Sequence, residues 1–414
     1  MGYIYAKKLL FIAILIAAVL GISLASETIY VVNSYGRHSP APHWSTVDAL
    51  NGSDLSFLRD VTVGYDAHDV AITPDGTRLW VSSRGSNNIS VLYADKLGTI
   101  KIIKDKNIVT PLSIAFNSDG SKAYIAFESI GQIGVFDAKT DSLLYSIPVD
   151  GKPSYIVLTP DDKKAYVVDY LDSRVFVILT SNNKLAKTLV LRGHKLQDAV
   201  ISPDGSMVYV ANQDQNQIEV IRTSDDSIIV PIPTKDISPR AIAIHPSGAY
   251  LFVGLSSGMD AIVDVLRVSD RTVVSSFKFG GLARSIEVRP DGSRIFVSDY
   301  NGDKVYALNV NGENLSLAAV ANLNKEPRFR AAPIGLAIHV VHATKDLVSE
   351  GNISGPTSSM KESSSESHEE NNRPMPGLDA LATAATLVLI SLRRRPKDIC
   401  NNEYHRFSQD NLNK

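Results

Sequence analysis

The sequence predicts an all-β fold, a seven-bladed β-propeller of four-stranded antiparallel blades, and three observations support it. A Pro-Asp-Gly type of turn recurs at Pro74-Asp75-Gly76, Ser118-Asp119-Gly120, Pro160-Asp161-Asp162, Pro203-Asp204-Gly205, Pro246-Ser247-Gly248 and Pro290-Asp291-Gly292, in steps of 44, 42, 43, 43 and 44 residues. A fixed period in this range marks a repeat architecture. Each turn is flanked by short runs rich in β-branched and aromatic residues, the pattern of antiparallel strands joined by tight reversals. The two ends of the repeat region are incomplete in complementary ways: Thr28 to Ser34 (TIYVVNS) matches the strand after a turn, and Pro333 to His339 (PIGLAIH) matches the strand before one.

Along the chain, residues 1–26 read first as a signal peptide. Lys7 and Lys8 precede an apolar run from Leu9 to Ala25, and small Ser23 and Ala25 suit a cleavage site that would leave Ser26 at the new N-terminus. A run of this length is also near the lower limit for spanning a bilayer, so an uncleaved anchor is the competing reading. Residues 27–343 hold the propeller. In the repeat that begins at Pro203, strands are expected at Met207 to Asn212, Gln217 to Arg222 and Ser227 to Val230, then at Arg240 to Ile244 before the next turn. Four strands per period make a blade, and six turn-centred blades leave one to be completed. The C-terminal strand is expected to pair with three N-terminal strands and close the ring, which removes exposed sheet edges.

Residues 344–375, Ser- and Glu-rich (KESSSESHEENNR from Lys361), have too few apolar residues to fold and read as a flexible stalk. Residues 376–395 follow as a sorting or anchor segment: Pro376-Gly377-Leu378, a short apolar run, then Arg393-Arg394-Arg395. The arginines are expected to hold that end in the cytoplasm. A polar tail, 396–414, ends the chain.

Composition narrows the function classes. A net charge of −2 gives no electrostatic footprint for nucleic acid, and the single cysteine, Cys400, allows no intrachain disulfide. No nucleophile elbow, phosphate-cradling glycine loop or paired-cysteine motif occurs, so no catalytic residue and no cofactor are assigned.

The repeat itself carries a family resemblance. VAITPDGTRLWVSSRGSNNISVLY from Val70, VISPDGSMVYVANQDQNQIEVI from Val200 and IEVRPDGSRIFVSDYNGDKVYAL from Ile286 are similar to the repeat of YVTN-type β-propellers, and the resemblance runs from about Glu27 to Ala343. It implies an archaeal or bacterial surface-layer-associated protein. The segment from Pro376 to Arg395 resembles the PGF-CTERM type of archaeal sorting signal, with Leu378 where that pattern has phenylalanine. This implies removal of the apolar tail and lipid anchoring to the membrane.

A propeller offers ligands its central tunnel. Counting back from each turn places His68, Leu112, Ser154, Gln197, Arg240, Arg284 and Ile334 at one level of the innermost strands, with Asp69, Ser113, Tyr155, Asp198, Ala241, Ser285 and Gly335 at the next. Of these, His68, Asp69, Gln197, Asp198, Arg240 and Arg284 form a polar ring able to grip an anion or a cation. The plainer expectation is a solvated rim whose charges pair with one another. Glu287, the odd polar residue on an innermost strand, is expected in an ion pair with Arg240, Arg284 or Arg289. His68, His194, His245, His339 and His342 lie in or beside innermost strands, but a spacing of three sends His339 and His342 to opposite faces, and no metal is assigned. Sequons at Asn51, Asn88, Asn314 and Asn352 offer glycosylation, the first three in expected turns or loops.

The function expected from these signals is a non-enzymatic cell-surface propeller that binds partner proteins, glycans or neighbouring copies of itself, outside the cell and tied to the membrane through its C-terminal anchor. The alternative is an extracytoplasmic enzyme of lactonase, lyase or dehydrogenase type, or a solute-binding protein, using the tunnel mouth.

Overall fold

The computed structural model describes residues 26–34, 44–235, 237–257, 260–324 and 331–341. Ala25, Asn352, His342 and the segment from Pro376 through Arg393, Arg394 and Arg395 lie outside the described residues.

Strands β1 to β28 build seven four-stranded antiparallel sheets, and no helix occurs among the described residues. The first turn-centred blade, from the tunnel outward, is β4 (Ala67–Ile72), β5 (Arg78–Ser83), β6 (Asn88–Tyr93) and β7 (Thr99–Ile103). The second is β8 (Pro111–Phe116), β9 (Lys122–Phe127), β10 (Gln132–Asp137) and β11 (Ser142–Pro148). The third runs β12 (Pro153–Leu158), β13 (Lys164–Asp169), β14 (Arg174–Leu179), β15 (Lys184–Val190), and the fourth β16 (Leu196–Ile201), β17 (Met207–Asn212), β18 (Gln217–Arg222), β19 (Ser227–Pro233). The fifth is β20 (Ser238–Ile244), β21 (Tyr250–Ser257), β22 (Asp260–Arg267), β23 (Thr272–Gly280), and the sixth β24 (Ala283–Val288), β25 (Arg294–Asp299), β26 (Lys304–Asn311), β27 (Asn314–Asn322). The seventh is composite: β28 (Pro333–Val341) lies innermost, followed by β1 (Ser26–Asn33), β2 (Trp44–Asn51) and β3 (Phe57–Tyr65). Ile29 pairs with Ile338 and Val31 with Leu336, so the two ends of the chain close the ring as expected.

The turns explain why each blade starts where it does. Asp75 accepts bonds from the Thr73 hydroxyl (2.5 Å) and the Thr77 backbone N–H (3.0 Å), while Thr73 Oγ1 accepts the Arg78 N–H (3.1 Å). Such side-chain capping substitutes for ladder bonds at the reversal. The third position needs a left-handed backbone: Gly76 has φ 71°, and Asp162, where the third blade lacks glycine, adopts φ 56°.

The core sits between blades. Seven apolar clusters each straddle two neighbouring sheets; one joins Trp80, Ile89 and Val91 of the first blade to Ile125, Phe127 and Phe136 of the second. Trp80 meets Phe116 and Phe136 edge-on, with centroids 5.6 and 5.8 Å apart. The closing interface follows the same rule: Ile29, Val31 and Leu50 pack on Phe296, Val305 and Ala307. Polar ties reinforce it. Arg294 donates to the carbonyls of Gly52 (2.7 Å) and Ser53 (3.0 Å), and Arg289 pairs with Glu27 (3.2 Å).

Candidate functional site

Every innermost strand carries a register shift at the level of the predicted ring. Pairing skips His68 in β4, Ser154 in β12, Gln197 in β16, Arg240 in β20, Arg284 in β24 and Ile334 in β28, and in β8 it jumps from Pro111 to Ile114. A bulged residue leaves the ladder and its side chain is re-aimed. Here the repeated bulge turns one residue per blade toward the tunnel, where His68, Leu112, Ser154, Gln197, Arg240, Arg284 and Ile334 line a cavity of about 660 Å³.

The second level does different work. Asp69 Oδ1 accepts the Val70 N–H and its Oδ2 accepts the Ile114 N–H of the next blade, both at 2.9 Å. Asp198 repeats the device with Ala199 (2.8 Å) and Ile242 (3.0 Å), and Ser113 Oγ accepts the Ile156 N–H (3.3 Å). These side chains clip adjacent innermost strands together while still facing the lumen. Tyr155 hydrogen-bonds Asp198 through its hydroxyl.

Two further levels down the strands, the ring reads Ala71, Ala115, Val157, Val200, Ala243, Glu287 and Ala337. Glu287 is the single carboxylate in an apolar collar. The expected ion pair is absent: Arg289 is taken by Glu27 and Asp291, and among the described residues Glu287 has no hydrogen-bond or salt-bridge partner. The reason is competition across the ring closure, where Glu27 of β1 reaches Arg289 first.

Enclosure by the blades sets the protonation of this cluster. Burial raises the Asp69 pKa to about 7 and that of Asp198 to about 6, against the backbone N–H donors that lower both. Burial, then the charges of Asp198 and Asp69, push Glu287 up to about 8. Asp198 and burial hold the Tyr155 hydroxyl well above its ordinary value. Burial, with Arg284 and Arg84 nearby, holds His68 well below 6.5, so its imidazole is neutral at pH 7. Converging, enclosed titratable groups of this kind mark binding and catalytic sites more often than solvated rims.

The arginines also depart from the expectation of charges paired around a rim. Arg84 at the mouth does pair with Asp66 (2.7 Å). Among the described residues Arg240 and Arg284, from adjacent blades, form no salt bridge: Arg284 meets His68 Nε2 at 3.5 Å and acts on Asp69 and Asp198 through its charge alone, and Arg240 Nε is buried with no acceptor. Burial and the neighbouring Arg284 draw the Arg240 pKa down. Gln197 is satisfied by Gln213 (2.5 Å) and Ser154 by the Val168 carbonyl (3.1 Å). The structure thus brings all six predicted ring residues to one chamber and separates their roles. The bulges and the isolation of Glu287 were missed, although aligning the fourth level would have shown the latter.

The remaining predicted sites are dispersed. The three sequons expected in turns lie at strand ends instead: Asn51 closes β2, Asn88 opens β6 and Asn314 opens β27. Asn314 is exposed, but Asn88 is buried within its blade. His194 donates through Nδ1–H to the Leu171 carbonyl (2.8 Å), and His245 Nδ1 accepts from the Ser247 hydroxyl (2.7 Å) and backbone N–H (3.1 Å). Among the described residues no group of three or more His, Cys, Asp or Glu is arranged to hold a metal.

Comparison with known proteins agrees with this architecture. Residues 146–274 match the family described as lactonase, 7-bladed β-propeller. A seven-bladed β-propeller protein of Mycobacterium tuberculosis is 30% identical over 122 residues, a stretch covering 28% of this chain and 30% of that protein's length. These similarities support a β-propeller family. A protein of unknown function from Desulfotomaculum acetoxidans superposes with TM-score 0.60 at 16% identity, covering 75% of this chain and 98% of its own. Hydrazine synthase of Kuenenia stuttgartiensis gives TM-score 0.54 at 17% identity, covering 59% and 76%. At such identities the structural likeness concerns the fold alone.

Proposed function

We propose that this chain is an exported propeller whose tunnel mouth captures a small anionic solute. The observation that carries the reading is the pair Arg240 and Arg284: two guanidinium groups from adjacent blades face one chamber and, among the described residues, neither forms a salt bridge, since Asp69 and Asp198 of that chamber are bonded to backbone N–H groups, and one buried Arg240 N–H has no acceptor. A carboxylate or phosphate oxygen supplies what both lack, by charge-assisted hydrogen bonds. Export is part of the proposal, supported by Lys7, Lys8 and the apolar run to Ala25; retention at the membrane is supported by the Pro376 to Arg395 segment. Partner proteins, glycans or neighbouring copies would meet the outer strands, where Tyr145, Val190 and Val230 of three consecutive blades are exposed.

Calorimetric titration with lactate, succinate and gluconate tests the solute site. At least one is expected to bind the native chain and to lose ten-fold or more in affinity in Arg240→Gln or Arg284→Gln. Equal binding by the variants would defeat the proposal.

A second reading, ring-opening of a lactone, is favoured by the family match over 146–274 and by the neutral imidazole of His68. Water would add to the lactone carbonyl carbon, a guanidinium would stabilise the oxyanion, the ring C–O bond would break, and the water proton would end on the released alkoxide. The anionic product would then suit the same arginine pair. Acid release from gluconolactone above the uncatalysed rate, abolished in His68→Ala, is the outcome this reading requires.

A further inference from the structure

The tunnel holds an unmatched guanidinium and an unmatched carboxyl at different depths. Among the described residues Arg240 Nε, at the mouth, has no acceptor, and three residues further along the strands Glu287 has no donor. At about 3.3 Å of rise per strand residue the two levels are separated by about 10 Å, and no ion pair joins them. Asp69 and Asp198 lie between, one level below the arginines, each oxygen already holding a backbone N–H. Carboxylate oxygens have lone pairs to spare, so both can accept a further donor.

The three carboxylates approach the tunnel axis from different sides, from the first, fourth and sixth blades. A simple anion answers only the arginines and leaves Glu287 as it is. A ligand with a carboxylate at one end and an ammonium at the other answers both. We infer that the solute is a zwitterion of dipeptide length, its carboxylate on Arg240 and Arg284 and its ammonium among Asp69, Asp198 and Glu287; this rests on the solute-binding reading of the same tunnel.

Length selects the dipeptide. At roughly 3.3–3.6 Å per extended residue, a dipeptide carries its ammonium about 6 Å below its carboxylate, between the aspartates and Glu287. A single amino acid falls short, its ammonium reaching only the aspartate level. The cavity of about 660 Å³ is of the size that encloses small ligands. Ala71 and Ala337 supply small apolar wall near the depth of the peptide unit, which suits small or aliphatic side chains.

Native mass spectrometry of the whole chain with a pool of Ala-X dipeptides, the same pool N-acetylated, and the same pool C-amidated tests the inference. The free pool is expected to bind, with each capped pool at least ten-fold weaker. In Glu287→Gln the penalty for N-acetylation should shrink below three-fold while the amide penalty persists; Arg284→Gln should do the reverse. A single cooperative melting transition in each variant, as in the native chain, confirms folding. If the N-acetylated pool binds as tightly as the free one, or organic carboxylates bind while free dipeptides do not, the zwitterion inference fails and the anion site stands. If neither dipeptides nor carboxylates bind, the solute-binding reading itself falls.

Discussion

Replacing Glu287 by glutamine should stabilise the protein at alkaline pH and leave it nearly unchanged in acid. In the folded chain the Glu287 carboxyl has a pKa of about 8 against an ordinary 4.5, because burial and the charges of Asp198 and Asp69 disfavour its ionised form. The folded state therefore holds a proton that the unfolded chain releases. The stability tied to that proton is present below about pH 4.5 and is lost progressively as pH rises through 8. At about 1.4 kcal/mol per pKa unit the full difference is worth about 5 kcal/mol, and water in the lumen reduces what is realised to about 2 kcal/mol. Glutamine keeps the shape and never ionises. Thermal unfolding followed by circular dichroism should show Glu287→Gln melting about 3 °C above the native chain at pH 8.5, and within about 1 °C of it at pH 5. Equal shifts at both pH values, or a variant less stable at pH 8.5, would refute the argument that this carboxylate is enclosed and unpaired.

Other expectations follow from the same geometry. Asp198→Asn leaves one of two accepted backbone N–H groups facing an amide donor, so chemical denaturation should show a loss of about 1–3 kcal/mol. Val31→Ala, in the closing strand and fully buried, should cost about 2–3 kcal/mol by the same measurement, whereas Val190→Ala on an exposed outer strand should change stability by less than about 0.5 kcal/mol. Glycopeptide mass analysis of protein from its own source should find sugar at Asn314 and none at Asn88; a glycan at Asn88 would show that β6 is open when the transferase acts.

Much of the fold could be read from the chain. The strands Met207–Asn212 and Gln217–Arg222 match the expected limits residue for residue, because turn chemistry on both sides pins them. β19 runs three residues beyond the expected Val230, because Ile232 is buried against the neighbouring blade and extends the pairing. Ring closure was legible since each end lacked what the other supplied. The bulges were not, because register between two strands depends on backbone geometry that neither strand's composition reports. Glu287 was assigned a local arginine for a related reason: its nearest candidate, Arg289, is claimed by Glu27, distant in sequence and adjacent only once the ring is shut. The six ring residues were found by counting from the turns, but counting says nothing about enclosure, which is what moves Asp69, Asp198 and His68 away from ordinary protonation.

The chamber beneath Arg240 and Arg284 is proposed to bind a small solute carrying negative charge. Native mass spectrometry of protein purified from its own source, before and after the paired change Arg240→Gln with Arg284→Gln, is the decisive measurement. One small carboxylate- or phosphate-bearing molecule per chain, present in the native protein and absent from the double variant, is the predicted result. A chain that emerges empty and binds no added carboxylate in either form would show that the arginine pair is not a solute site.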